Sequence, residues 1–335
     1  MNIVGEKEPT RIAMTWKILP FVLLSLGLAL TVWLVSAASL SAVVESVREV
    51  GWGALGVVAV RATMIALNGL AWGRLLANVS SVRTRMVVLS RWIREAVDVL
   101  LPVAGIGGGL VGARTLTFWN VPAALAIASV AADLLLQSVA QALFALVGAA
   151  CLVQLVGASA VLSGALVGFA AVVAMLCGFY VVQRHGARFI NRAFVAVAER
   201  LALRTSERDS GFRAAIESLW HGRRPAIVAA LALHGMAWTA GTLEVLITLH
   251  FMGWPVTLEQ AIILESLGAS ISSAAFFIPG SWGAQEGGYL LIGQMLGLPP
   301  HFALALSLVK RIPDFALGIP GLVAWQATEA RRLLA

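Results

Sequence analysis

The residues of this 335-residue chain with most capacity for chemistry are charged ones set inside long apolar runs: Arg61, Asp133, Glu244, Glu265, Glu286, Lys310, Arg311 and Asp314. An ionisable side chain in hydrocarbon costs about 2.5–3.5 kcal/mol by insertion scales, so it is either paired to fix helix packing or placed on a substrate path. Four acid–base pairings are available. Lys310 and Asp314 stand i, i+4 and are expected to pair on one helix, which leaves Arg311, about 100° round, for another partner. Glu286 falls in the first turn of a predicted short helix over 284–296, where a carboxylate suits the helix N-terminus. Glu286 and Arg311 lie on two arms of one unit and are placed to meet at its mouth. Arg114 follows an equivalent short helix earlier in the chain. Arg114 and Arg311 are the expected phosphate ligands, because the guanidinium fork matches phosphate oxygens.

Other chemistries find little support. Gly107-Gly108-Gly109-Leu110-Val111-Gly112 has dinucleotide-loop spacing, but no strand precedes it, so its glycines read as a site of close backbone approach. Gly164 and Gly168 suit helix packing. His185, His221, His234, His250 and His301 show no metal or protease spacing. His234 and Glu244 share a face of one span, which makes a proton-linked role conceivable. Cys151 and Cys177 lack metal-spaced neighbours and read as packed thiols. No P-loop or nucleophile elbow is present. No metal or cofactor is expected.

The elements that must carry these residues follow from composition. Hydrophobic residues make up 59% of the chain and charged ones 12%, with a mean hydropathy of +0.88. A soluble domain holds about a quarter charged residues, so the apolar excess must face lipid. The net charge of +7 is carried by arginines between apolar runs, which points to membrane topology rather than to nucleic acid. Runs near 18–38, 50–72, 121–150, 158–182, 225–250 and 300–326 are long enough to span. The first reads as an anchor rather than a cleaved signal. Trp16, Trp52, Trp72, Trp119 and Trp325 suit interfacial belts. Two further stretches are broken: 86–117 at Leu101-Pro102 through Gly109, and 257–297 at Ile278-Pro279-Gly280-Ser281-Trp282-Gly283. Proline removes a helical hydrogen bond and glycine weakens the remainder, so each predicts a re-entrant hairpin shielded by protein or lining a cavity.

Loop charges orient the whole. Lys7, Arg11 and Lys17 precede the first span; Arg74, Arg83, Arg85, Arg91 and Arg94 follow the second; nine arginines occupy 183–224; Arg331 and Arg332 close the chain. The opposite loops hold only Arg48. Both termini are therefore expected to be cytoplasmic. The basic 183–224 loop is expected to lie on anionic headgroups, with partner docking as the alternative. Pro102 and Pro279 are 177 positions apart, as are Pro122 and Pro299. The same shift carries span 50–72 onto 227–249. The chain thus reads as an all-α, polytopic single transmembrane domain over 1–335, with repeats at 50–150 and 225–326. Loop charges make the two hairpins oppositely oriented, the pattern of transporters with a midplane site.

The run Arg91-Trp92-Ile93-Arg94-Glu95 through Pro102, Gly107-Gly108-Gly109 and Gly112-Ala113-Arg114 resembles the flippase-like transmembrane region of lysylphosphatidylglycerol synthases. So does Ile278 through Gly288, followed by Gly297-Leu298-Pro299 and Lys310-Arg311. The combination is similar to the hopanoid-biosynthesis-associated branch, which lacks the soluble synthase domain. The resemblance implies movement or presentation of a polar or isoprenoid-derived lipid in the bacterial inner membrane, without aminoacyl transfer. Membrane lipids and hopanoid biosynthesis or transport proteins are the implied partners. Pro102, Gly107, Arg114, Pro279, Gly280, Glu286 and Arg311 are the implied site residues. One departure is Gly109, where relatives often carry an acid. Two rivals remain: a membrane enzyme using Glu286 or Asp133 as acid or base, and a scaffold recruiting enzymes through 183–224.

Overall fold

The computed structural model describes residues 10–102, 107–157 and 210–333. The predicted span 158–182, most of the 183–224 loop, and Cys177, Gly164, Gly168 and His185 lie outside the described residues. Every regular element among the described residues is helical. In chain order these are α1 (Thr10–Ala37), α2 (Leu40–Glu49), α3 (Gly53–Leu76), α4 (Thr84–Leu100), α5 (Gly107–Thr117), α6 (Ala123–Val156), α7 (Ser210–Trp220), α8 (Arg224–Phe251), α9 (Leu258–Ala274), α10 (Ala284–Met295), α11 (Pro300–Val309) and α12 (Ile312–Leu333). A single 3₁₀ turn, Pro279–Ser281, stands between α9 and α10. Segments Leu19–Ala37, Gly53–Leu76, Ala123–Val156 and Arg224–Phe251 are long and apolar enough to cross a bilayer.

Helix ends follow local chemistry. At the start of α9 the Thr257 hydroxyl accepts from the Gln260 amide at 3.2 Å, while the Gln260 side chain accepts from the Thr257 amide at 3.0 Å; this reciprocal box satisfies two orphan donors. Arg223 donates to the Leu75 carbonyl at 3.0 Å and to those of Arg74 and Ala77, covering the C-terminus of α3. The expected 300–326 span is the element the structure corrects. It divides at Lys310–Arg311 into α11 and α12. Pro313 favours this, for it has no N–H to offer the carbonyl four residues back and its ring crowds that carbonyl, whereas it is well accommodated in the first turn of the helix that restarts.

Helix α3 packs on α8 along the middle of the molecule, α4 packs on α3, α5 and α12, and α9 packs on α6, α8 and α10. Two buried apolar clusters result. One gathers Trp72, Leu75, Leu116 and Leu125; the other gathers Val245, Ile263, Tyr289 and Leu304. Beyond the first break, α5 packs back on α4. There a Cβ on Gly108 would overlap the Arg94 carbonyl and the Asp98 carboxyl, and the Gly108 amide donates to Asp98 Oδ1 at 2.9 Å. The helices meet at backbone distance because position 108 has no side chain.

Gly108→Val should therefore destabilise the protein by about 1–3 kcal/mol through overpacking. Thermal unfolding of the detergent-solubilised protein, followed by helical circular dichroism, measures it. An unchanged transition would contradict the close α4–α5 packing.

Candidate functional site

Three groups of buried charge occupy the helix interfaces. The first centres on Asp133 of α6, whose Oδ2 accepts from Arg94 at 2.8 Å and Arg91 at 3.2 Å, both on α4. His234 of α8 brings Nε2 to 3.2 Å from Asp133 Oδ1, and its Nδ1 lies 2.7 Å from Asn68 Oδ1 on α3. Arg91 also donates to Glu95 and Gln137, each at 3.0 Å. Four helices are tied at one fully buried carboxylate. Two guanidiniums on one carboxylate compensate its desolvation and make this a packing device.

The second group centres on Lys310, at the break between α11 and α12. Its ammonium donates to Glu244 of α8 at 2.5 Å and to Glu265 of α9 at 2.7 Å. Glu265 also accepts from the Tyr289 hydroxyl at 3.2 Å. Arg61 of α3 grips Glu244 through two bonds of 2.8 and 2.9 Å. Lys310 and Asp314 do not pair, contrary to the i, i+4 expectation. The helix needed for that pairing is interrupted at Lys310–Arg311, which turns Lys310 inward.

The third group surrounds the Pro279–Gly283 break. Gly283 adopts φ +79° and lies against Gly27 and Leu30 of α1. Glu286 accepts from its amide at 2.7 Å, so the N-terminal role expected of Glu286 is realised. Glu286 also receives Ser307 at 3.2 Å and Thr31 at 3.4 Å. Arg311 donates to Glu286 at 3.2 Å and to the Gly280 carbonyl, and its guanidinium lies 4.3 Å from the Trp282 ring. The expected meeting of Glu286 with Arg311 occurs. Asp314 links this group to the second, 3.6 Å from Arg61 and 3.8 Å from Arg311.

A cavity of about 190 Å³ opens at this third group. The two breaks meet there: Leu101 and Pro102 on one side, Pro279 and Trp282 on the other, with Arg311 and Asp314 at one corner and Leu24, Leu28 and Phe315 as apolar wall. Leu28 and Phe315 are also exposed on the outer surface. A narrow crevice lined by Arg61, Glu95 and Trp92 reaches the other side of Asp314. The cavity lining thus combines two charged side chains with an apolar wall.

The other expected site residues are distributed elsewhere. Gly280 contributes its carbonyl, whereas Gly107 begins α5 and Asp133 belongs to the first group. Arg114 lies in the last turn of α5, donates to Glu329 of α12 at 2.7 and 3.0 Å, and stacks near Phe118; it does not line the cavity with Arg311. Hydrogen bonding from Arg114 holds the Glu329 carboxyl below its ordinary range. His234 and Glu244, expected on one face, serve different groups. Arg91 and Arg94, expected among the loop charges, are instead buried on α4, and sequence reasoning passed over the roles of Asn68, Tyr289 and Trp282. The Arg91–Glu95 and Arg94–Asp98 spacings were a usable signal of a charged stripe on α4.

Long apolar helices, interrupted hairpins and clusters of buried charge at helix interfaces define a membrane protein that is all-helical among the described residues. Residues 18–321 match the family described as Lysylphosphatidylglycerol synthase TM region, and the chain belongs to that family. No curated protein and no solved structure matches it. The family relates the chain to lipid handling, in agreement with the resemblance carried by the two glycine–proline motifs.

Lys310→Met should destabilise the protein by about 3–5 kcal/mol, because Glu244 and Glu265 would stay buried with one cation fewer. Adding Glu265→Gln should return a large part of that loss. Unfolding of the single and double variants in detergent measures both, and purely additive losses would refute the coupling.

Proposed function

We propose that the protein moves a polar or isoprenoid-derived lipid between the leaflets of the bacterial inner membrane, holding the headgroup near Arg311 and the chain along α1 and Phe315. The observation that carries this reading is the cavity in which both proline-bearing breaks meet, charged at one corner and apolar towards the outer surface. Irregular backbone inside a membrane is tolerated where protein buries it or where it lines such a cavity. Arg311, with its fork and the adjacent Trp282 face, suits a phosphate or pyrophosphate oxygen. Arg114, stacked at the far end of α5, suits a headgroup at the membrane surface rather than in the cavity.

A two-fold internal repeat supports the same reading. A shift of 177 carries α5 onto α10 and Pro122, before α6, onto Pro299, before α11. It carries α4 to within a few residues of α9, and α3 to within a few of α8. Packing obeys the exchange too, since α4 lies on α12 as α9 lies on α6, and α3 lies on α8. We read the halves as inverted, with cytoplasmic termini, on the loop charges. An exchange of roles between such halves gives alternate access to one midplane site. Hopanoid or related lipids are the substrates this reading favours through the sequence resemblance. The protein acts without changing the lipid covalently.

The test is leaflet transfer in vesicles. Full-length protein reconstituted with a fluorescent phosphatidylglycerol should equilibrate the probe between leaflets, with the lipid mass unchanged by mass spectrometry. Arg311→Lys, which keeps the charge and loses the fork, should slow transfer about tenfold, the loss of roughly 1.4 kcal/mol, while eluting as a folded species. Wild-type protein that leaves the probe in its original leaflet, or that alters its mass, would overturn the reading.

A further inference from the structure

The charges joined around the Lys310–Arg311 break do not balance. Three cations, Arg61, Lys310 and Arg311, face four carboxylates, Glu244, Glu265, Glu286 and Asp314. Three of the carboxylates are firmly held. Glu244 takes both prongs of Arg61 and one bond from Lys310, Glu265 takes Lys310 and Tyr289, and Glu286 takes Arg311, Ser307 and the Gly283 amide. Asp314 differs. Its carboxylate accepts no hydrogen bond among the described residues, and its cationic neighbours stand at 3.6 and 3.8 Å, each committed more closely to another carboxylate. Asp314 also lies on the wall of both the cavity and the crevice. The surplus negative charge of the cluster therefore falls on its least satisfied and most accessible carboxylate.

We propose that Asp314 is a proton-binding site whose occupancy is coupled to engagement of an anionic headgroup at Arg311. This rests on the lipid-moving reading above. A carboxylate surplus in a low-dielectric interior is relieved by a cation or by a proton. The two guanidiniums facing Asp314 repel a metal ion, whereas a proton adds no separate centre of charge and leaves a neutral acid. The other charged groups near it are Glu95 of α4, across the crevice and paired with Arg91, and Glu244 of α8, behind Arg61. With Asp314 ionised, the cluster carries one net negative charge and repels an anionic headgroup. With Asp314 protonated the cluster is neutral, and Arg311 loses one of the two carboxylates that compete with a phosphate. Proton and headgroup then favour each other, and the coupling is reciprocal by linkage. Protonation also releases the contact from Asp314 of α12 to Arg61 of α3, a contact between the two halves.

The test uses full-length protein in phosphatidylcholine vesicles containing phosphatidylglycerol. Infrared difference spectra between about pH 8 and about pH 5, spanning the range above the ordinary carboxylate value, are recorded throughout on protein carrying Asp98→Asn, because burial lifts the Asp98 carboxyl into the same interval, and should show a protonated-carboxyl band. That band should vanish in Asp314→Asn, shift but persist in Asp314→Glu, persist in Glu95→Gln, and not respond when choline replaces sodium. Transfer of fluorescent phosphatidylglycerol by the wild type should rise about tenfold per pH unit of acidification while Asp314 remains mostly ionised, and transfer by Asp314→Asn should lose that dependence. A band that survives in Asp314→Asn, or one that disappears in Glu95→Gln or responds to sodium, overturns the proposal. Should Asp314→Asn fail to fold, the shifted band of Asp314→Glu decides. Absence of lipid transfer with the band intact would refute the lipid-moving reading alone and leave the proton site standing.

Discussion

Lys310 holds Glu244 and Glu265 together in the buried interior, and the packing of α8, α9 and α11 depends on that contact. Each of the three charges would be expensive alone, and removing one partner leaves the others uncompensated. The ammonium can reach both carboxylates because the backbone breaks at Lys310–Arg311. The break in turn follows from Pro313. A single missing amide hydrogen thus directs one cation into α8 and α9 and the next, Arg311, towards the Pro279–Gly283 turn.

The Asp133 group is arranged alike, with its sign inverted. There a single acid on α6 gathers cations from α4 and a histidine from α8, and here a single cation gathers acids from α8 and α9. Asp133 and Lys310 lie 177 positions apart, the separation that also relates the prolines. Both groups sit where several helices converge and tie them at one point. Such a tie is directional and cannot slide as an apolar contact can, so it fixes helix register in a medium where the hydrophobic effect between helices is weak.

The cavity is a consequence of these ties. The breaks at Pro102 and Pro279 cannot continue as helix, and α1 and α12 close around them with apolar side chains. Gly27 lets α1 approach the backbone of Trp282 closely enough to form that wall. Arg311 is held on its acceptors at the edge of the space, and its guanidinium is positioned before any ligand arrives. Pre-positioned donors lose little entropy on binding. This is the physical support for the proposal that Arg311 contacts the substrate.

Much of this was legible in the order of residues. Apolar runs of spanning length follow from the absence of charge, and both interruptions follow from proline and glycine, because these are properties of single positions and their near neighbours. Glu286 near a helix start and its approach to Arg311 were readable for the same reason, since both belong to one short unit. The partners of Asp133 and Lys310 were not. Arg94 is 39 positions from Asp133, and Glu244 is 66 from Lys310, so only the folded arrangement of helices selects them. Pro313 was visible beside Lys310, Arg311 and Asp314, yet the apolar runs on either side carried the expected span across it. The sequence by itself determined a membrane-embedded helical chain with two interrupted hairpins. Tertiary structure alone decided which buried charges neutralise one another and that Asp314 stands left over, because pairing in a low-dielectric interior depends on distances of a few ångströms between helices remote in sequence.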